Sequence, residues 1–166
     1  MMKMKRNKKN LLVIGALTIV IACALISGFC LQLAIVDGES MAPTYKSKQF
    51  VFVDKTCNDF QRGDVIAFRS EKVGFLIKRI AAVGGDSVKI SDGKIIVNGV
   101  ESPEYKNIFV DYSGIAEETV QLRENEFFVL GDNICESKDS RYEIIGTVKA
   151  NEIIGKVIPQ KIIKAS

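Results

Sequence analysis

The chain has 166 residues, of which 47% are hydrophobic and 26% are charged, enough for one domain with a packed core. It contains no histidine, which excludes a Ser-His-Asp or Cys-His catalytic arrangement and an imidazole zinc site from this chain. The net charge of +3 is unevenly distributed, because residues 1–10 carry five cations and no acid. Residues 37–166 hold the other 18 of the 23 cations and all 20 acids, so their net charge of −2 favours no nucleic-acid partner.

An uncharged and mainly apolar segment occupies residues 11–36. A helix of this length rises about 39 Å, and about 20 apolar residues suffice to cross the hydrocarbon core of a bilayer. The positive-inside rule places the basic residues before it in the cytoplasm. The sequence therefore predicts a cytoplasmic tail over 1–10, one transmembrane helix over 11–36 and an extracytoplasmic domain over 37–166.

Two other interpretations of the N-terminal segment fit its length and charge less well. A cleaved secretory leader has an apolar stretch of only about 7–15 residues, shorter than the one present. A lipoprotein leader cut before Cys23 would leave thirteen further uncharged residues on the mature chain. An uncleaved anchor is therefore favoured.

The cysteines allow two states of the outer domain. Cys57 and Cys135 are 78 residues apart, and outside the membrane they could form a disulfide or remain unpaired thiols. Cys23 and Cys30 fall inside the predicted anchor.

After the anchor, short runs rich in Val, Ile and Phe alternate with glycine-containing turns, a pattern typical of β-strands. No long period of 3.6 residues appears in this part. We therefore expect a mainly β fold, a compact antiparallel sheet domain following a single N-terminal transmembrane helix. The predicted strands cover residues 49–54, 64–69, 74–83, 87–90, 94–98, 119–122 and 126–130.

Ser40 lies in an irregular stretch just after the apolar segment, because Gly38 and Pro43 interrupt regular structure there. A serine in such a turn is most often a cap or a backbone hydrogen bonder. The segment alone is therefore weak evidence for catalysis.

Lys78 and Arg79 are adjacent cations in an otherwise apolar run, so in a strand they point to opposite faces. Both could lie at a sheet edge, where charges discourage unwanted pairing. Alternatively, Lys78 is stripped of water. Burial would then lower its pKa and allow the neutral amine to act as a base for a serine hydroxyl.

The polar loop over residues 131–141 contains Asp139 and Arg141, which share a face if the chain is extended there. They could form a charge pair that fixes the loop. Taken alone, the loop is better interpreted as a solvated surface turn.

Together, these segments resemble, in the same order, the conserved motifs of the type I signal peptidases, membrane-bound Ser-Lys proteases. The resemblance covers roughly residues 1–160. The matching motifs are residues 40–44 (SMAPT), 62–68 (RGDVIAF), 78–80 (KRI), 85–86 (GD) and 131–141 (GDNICESKDSR).

This resemblance implies a role for each matching residue. Ser40 would be the nucleophile and Lys78 the general base. Ser137 would hydrogen-bond the Lys78 amine and orient it, and Asp139 and Arg141 would form a structural ion pair under the site. No metal or cofactor is implied.

The resemblance also implies a substrate-binding set formed by Gly38, Met41, Leu76 and Ile77. An extended substrate would lie along the strand of Leu76 and Ile77, and the Ser40 N–H would be one oxyanion donor. Gly38 stands where some members carry a serine that completes the oxyanion hole. Two further departures from the family pattern, residues 82–84 and Ile134, affect loop geometry.

The implied activity is a membrane-anchored serine endopeptidase that removes signal peptides from exported preproteins after an Ala-x-Ala-like site. Its expected location is the plasma membrane, with the bilayer and preproteins as partners, and an association with the secretion machinery is allowed. The alternative is a specialised or inactive relative that assists assembly of surface structures, which should lack Ser40 or Lys78. A self-cleaving repressor would need a DNA-binding domain in place of residues 1–36, and a tethered binding domain leaves the ordered motifs unexplained.

Overall fold

The computed structural model describes residues 13–14, 17–18 and 30–159. The predicted cytoplasmic tail, most of the predicted transmembrane helix and residues 160–166 lie outside this part of the chain. Residues 13–14 and 17–18 are helical. A search of the described residues finds no helix with the length and apolarity needed to cross a bilayer.

Residues 30–159 contain eleven strands and four short 3-10 turns, which are connected by loops. The strands are β1 Leu31–Ile35, β2 Phe50–Asp54, β3 Val65–Ser70, β4 Gly74–Ala82, β5 Ser87–Ser91, β6 Lys94–Val97, β7 Val100–Glu101, β8 Val120–Gln121, β9 Glu126–Leu130, β10 Val148–Lys149 and β11 Ile153–Val157. The 3-10 turns are Pro103–Tyr105, Gly114–Glu117, Ile134–Glu136 and Ala150–Glu152.

The strands form two antiparallel sheets. One has seven strands in the order β1-β2-β11-β3-β4-β9-β10, and the other has four in the order β7-β6-β5-β8. Each of the seven predicted runs overlaps one observed strand, and no boundary differs by more than one residue. The mainly β antiparallel class expected from the sequence is therefore confirmed.

The predicted boundary between anchor and outer domain is wrong, because the β-domain begins before residue 37. Residues 31–35 form strand β1, which pairs with β2 in a continuous register from Leu31↔Asp54 to Ile35↔Phe50. An uncharged apolar run fits a buried helix as well as a strand, so hydropathy did not mark this transition. The end of the predicted helix belongs to the sheet instead.

Strand β11, which lies between β2 and β3 in the larger sheet, was not predicted from the sequence. A Cβ atom at Gly155 would lie 2.2 Å from the backbone oxygen of Asp54, so only glycine allows the two strands to approach this closely. The register shift between Ile153 and Gly155 marks the same irregularity. β11 pairs with β2 on one side and with β3 on the other. It therefore connects strands β1 and β2, next to Ser40 in the chain, with strands β3 and β4, the second of which contains Lys78.

Of the two states that the sequence left open for Cys57 and Cys135, the structure has the unpaired thiols. The Cys57 thiol instead donates to the backbone oxygen of Asp59 at 3.3 Å, and Cys135 is exposed. Cys30 is also free and directly precedes β1, whereas Cys23 lies outside the described residues.

One of the three apolar clusters lies beneath Ser40. Val36, Met41 and Tyr45 flank that residue and are buried against Val51, Val53 and other side chains of β2, β3 and β11. Met41 has no exposed surface. The chain around Ser40 is therefore anchored in the core although it has no regular secondary structure.

Candidate active site

Strand β4 positions Lys78 where its pairing changes. β3 pairs with β4 over its whole length, from Ser70↔Gly74 to Val65↔Arg79. On the other side, β9 pairs with β4 only from Arg79 onward. Lys78 is therefore the last residue of a free strand edge, yet it is only 3% exposed. Lys78 thus lies at a strand edge, as one alternative allowed, but its side chain is buried as the other alternative required.

Ser40 lies in a turn over residues 38–45, which we call the Ser40 turn. Gly38 adopts a positive φ of 82°, which favours glycine, at the start of the turn. Within the turn the Ala42 N–H donates to the Glu39 oxygen at 3.0 Å, and the Tyr45 N–H donates to the Met41 oxygen at 2.9 Å. These bonds and the buried Met41 fix the position of the Ser40 side chain.

The two predicted catalytic side chains are in contact. The Lys78 Nζ donates a hydrogen bond to the Ser40 Oγ at 2.5 Å across 38 residues of sequence. Burial lowers the pKa of Lys78 from 10.5 to about 8, although the nearby carboxylates of Asp139 and Asp132 act in the opposite direction. The neutral amine is therefore far more accessible near neutral pH than it is for an exposed lysine.

Asp139 and Arg141 form the predicted ion pair. The Arg141 Nε donates to the Asp139 Oδ1 at 2.8 Å, and the two side chains are 1% and 0% exposed. Arg141 also donates to the backbone oxygens of Ile134 and Ser137, and Asp139 accepts from the Gly131 N–H. Both charges are therefore satisfied inside the loop, which this pair holds in one conformation.

The expected hydrogen bond between Ser137 and Lys78 is not formed. Ser137 is buried, but its Oγ has no hydrogen-bond partner among the described atoms. The hydroxyl packs against Gly131, where a Cβ atom would lie 2.3 Å from the Ser137 Oγ and 2.5 Å from the Ser40 oxygen. The Lys78 amine meanwhile donates to Ser40, so Ser137 is near the site without orienting the amine.

Three residues without a role predicted from the sequence connect β4 to the Ser40 turn: Arg79, Asp132 and Asn133. Arg79 binds both carboxylate oxygens of Asp132, at 2.7 and 2.5 Å. The Asn133 N–H donates to the Ser40 oxygen at 3.0 Å, and its side-chain amide donates to the Glu39 oxygen at 3.3 Å. One feature of the sequence could have indicated a role for Arg79: it is adjacent to Lys78, so in a strand its side chain points to the opposite face.

A groove begins at the dyad and is lined by residues 35–37 and 75–78 together with Ser40 and Met41. We call it the substrate groove. Met41, Leu76 and Ile77 line it, as the family resemblance implied, whereas Gly38 does not. The Gly38 N–H instead donates to the Ser47 Oγ at 3.2 Å, so this glycine shapes the entry to the turn.

A serine hydroxyl in contact with a buried lysine amine, next to a groove with free strand edges, is typical of a peptidase rather than of a binding domain. The family model described as "Signal peptidase, peptidase S26" matches residues 9–160. The chain therefore belongs to the S26 family of signal peptidases. It is a serine peptidase that removes signal peptides from preproteins.

Several named proteins are similar to this chain. "Signal peptidase I U" of Bacillus subtilis (strain 168) is 34% identical over 167 aligned positions, covering 90% of this chain and 87% of that protein. "Signal peptidase I" of Bacillus amyloliquefaciens is 31% identical over 153 positions, covering 84% and 82%. A crystal structure of a signal peptidase I from Enterococcus faecalis V583 is 30% identical, with a TM-score of 0.49, and covers 60% of this chain and 97% of its own.

Replacing Asp139 by alanine should lower the free energy of unfolding by about 3–5 kcal/mol, because Arg141 would remain buried without its counter-charge. The measurement is thermal or chemical unfolding of the full chain in detergent. Lys94→Ala is the control, because the Lys94–Glu101 pair is exposed and should contribute about 1 kcal/mol or less. Equal melting of the Asp139 variant and the wild type would show that the ion pair is not structural.

Proposed function

We propose that Ser40 and Lys78 form the catalytic dyad of this signal peptidase. The single observation that carries this proposal is the 2.5 Å contact between the Lys78 Nζ and the Ser40 Oγ at a buried site. Burial makes the neutral amine accessible near physiological pH, and a neutral amine can accept the hydroxyl proton. No histidine is available for that task.

In the first step, the neutral Lys78 amine accepts the Ser40 proton while the Oγ attacks the carbonyl carbon of the scissile bond. The resulting ammonium donates that proton to the leaving amine as the C–N bond breaks. An acyl-enzyme on Ser40 remains. The amine, neutral again, accepts a proton from water as the water oxygen attacks the ester carbon. The resulting ammonium donates that proton to the Ser40 Oγ as the ester C–O bond breaks, which regenerates the hydroxyl and releases the signal peptide with a new carboxylate.

Charge on the carbonyl oxygen must be stabilised during both attacks. The Ser40 backbone N–H is the first donor in this proposal. Gly38 has no hydroxyl to contribute, so the second donor is a backbone group or a water molecule. The Asn133 bond to the Ser40 oxygen orients this part of the turn.

Two facing strand edges support an extended mode of substrate binding. Residues 35–37 continue the edge strand β1, and residues 75–78 form the part of β4 that β9 leaves unpaired. An extended peptide can hydrogen-bond to such edges by β-augmentation. The groove holds a cavity of about 60 Å³ beside Met41 and Ile77, a volume that suits small side chains and so supports an Ala-x-Ala-like cleavage site.

An exposed apolar face supports a location at the membrane. Leu33 and Ile35 of β1 pair directly with Phe52 and Phe50 of β2, and all four side chains are about half exposed. This face follows directly from the apolar segment that we propose as the anchor. It would therefore rest on the outer leaflet of the plasma membrane, with residues 1–10 in the cytoplasm.

This arrangement would hold Ser40 close to the height at which a signal peptide leaves the bilayer, which raises the effective concentration of the scissile bond. The alternative of a specialised or inactive relative predicts a missing dyad residue, and both residues are present and in contact. An association with the secretion machinery stays a prediction from the family resemblance.

Ser40→Ala and Lys78→Met should each reduce cleavage of a purified preprotein by at least about a thousandfold, because each removes one half of the dyad. The assay uses the full chain in detergent, and melting temperatures confirm that the variants are folded. Lys72→Ala, which changes an exposed lysine before β4, should cleave normally. Normal processing by either dyad variant would refute the assignment.

The value of kcat/KM should rise about tenfold per pH unit below the Lys78 pKa of about 8 and level off above it, because only the neutral amine accepts a proton. A pH profile from 6 to 10 measures this. Asp132→Asn removes a carboxylate that raises the Lys78 pKa, so its midpoint should move to lower pH. A flat profile would argue against an amine base.

The apolar face can be tested because the chain contains no natural tryptophan. A Phe52→Trp variant of the full chain, reconstituted in vesicles, supplies a single fluorescent probe on this face. Its tryptophan fluorescence should be quenched by brominated lipids, and its emission maximum should lie at a shorter wavelength than that of a tryptophan exposed to water. Phe109→Trp is the matched control, since Phe109 is exposed next to Gly93 in the turn between β5 and β6 of the smaller sheet. Equal quenching at the two positions would contradict contact of this face with lipid.

A further inference from the structure

A charged pair lies at the mouth of the substrate groove. Apart from Lys78, Asp37 is the only charged residue that lines the groove among the described residues, and its carboxylate accepts a hydrogen bond from the Lys48 Nζ. The two side chains are 83% and 75% exposed. The Lys48 ammonium lowers the pKa of Asp37, which favours the ionised form of this carboxyl group.

The backbone holds this pair in place. The Lys48 N–H donates to the Val36 oxygen at 2.7 Å, and the Val36 N–H donates to the Gln49 oxygen at 2.9 Å. Lys48 has a positive φ of 65°, an uncommon conformation for a residue with a side chain. The turn that carries Lys48 is thus attached to the groove wall that carries Asp37.

The alternation of an extended substrate decides which side chain meets the pair. Successive side chains of an extended peptide point in opposite directions. If the first and third residues before the cut face the buried Met41 and Ile77, the second faces the solvent-exposed mouth. Asp37 lies at that mouth, three residues before Ser40.

We propose that Asp37 and Lys48 form a subsite that discriminates between substrates by the charge of the second residue before the cut. This inference rests on the proposed function of Ser40 and Lys78. Asp37 attracts a cationic substrate side chain, and Lys48 partly neutralises that attraction. The intact pair therefore discriminates weakly, and removal of either partner exposes the charge of the other.

The test compares three otherwise identical preproteins that carry Lys, Ala or Glu as the second residue before the cut, cleaved by the full chain in detergent at low salt. The wild type should prefer Lys over Glu by about twofold in kcat/KM, and Lys48→Met should raise this preference to about fivefold. Asp37→Asn should reverse it in favour of Glu. All three preferences should shrink at high salt, where exposed charges are screened.

Lys46→Met is the matched control, since it removes an exposed lysine from the same turn outside the groove and should leave the wild-type preference unchanged. Failure of the two proposals can be distinguished. Cleavage of the Ala preprotein by Ser40→Ala would refute the dyad. Normal Ser40-dependent cleavage with equal rates for Lys and Glu in every variant, or a charge preference at another position, would refute the subsite alone.

Discussion

The site depends on keeping one amine out of water. An ammonium group is poorly solvated inside a protein, so burial of Lys78 favours the neutral form that can accept a proton. Complete isolation would lower its pKa further, but the carboxylates of Asp139 and Asp132 stabilise the charged form. The balance places the pKa at about 8, where the same amine can accept a proton from a hydroxyl and return it to a leaving group.

Strand β4 links this amine to the structure around it. Its alternation presents Lys78 to Ser40 and Arg79 to Asp132, so adjacent residues contact the Ser40 turn and the loop that supports it. The Asp139–Arg141 pair fixes the other end of that loop. Buried ion pairs add little net stability, and this one is best understood as holding a single loop conformation.

Two features that would be hazards in a soluble protein become useful in the proposed enzyme. An unpaired strand edge invites association with other chains, and the free part of β4 next to Ser40 offers that edge to an extended substrate. A half-exposed apolar face promotes aggregation, and on β1 and β2 it would be covered by lipid. The same sheet would therefore bind the substrate and set the height of the site above the bilayer.

The sequence by itself determined the β class and most strands of the outer domain, because strand alternation and turn glycines are local signals. Through the order of its motifs it also singled out Ser40, Lys78, Asp139 and Arg141 as candidates, by resemblance to the signal peptidases. It could not show that the apolar run changes from its predicted helix to strand β1 at residue 31, since uncharged residues fit both. Nor could it show that the Ser137 Oγ lacks a hydrogen-bond partner among the described residues. The contacts of Arg79, Asp132 and Asn133 around the Ser40 turn were equally invisible in the sequence. Only the tertiary structure decided these contacts, because they depend on strand pairing between residues far apart in the chain.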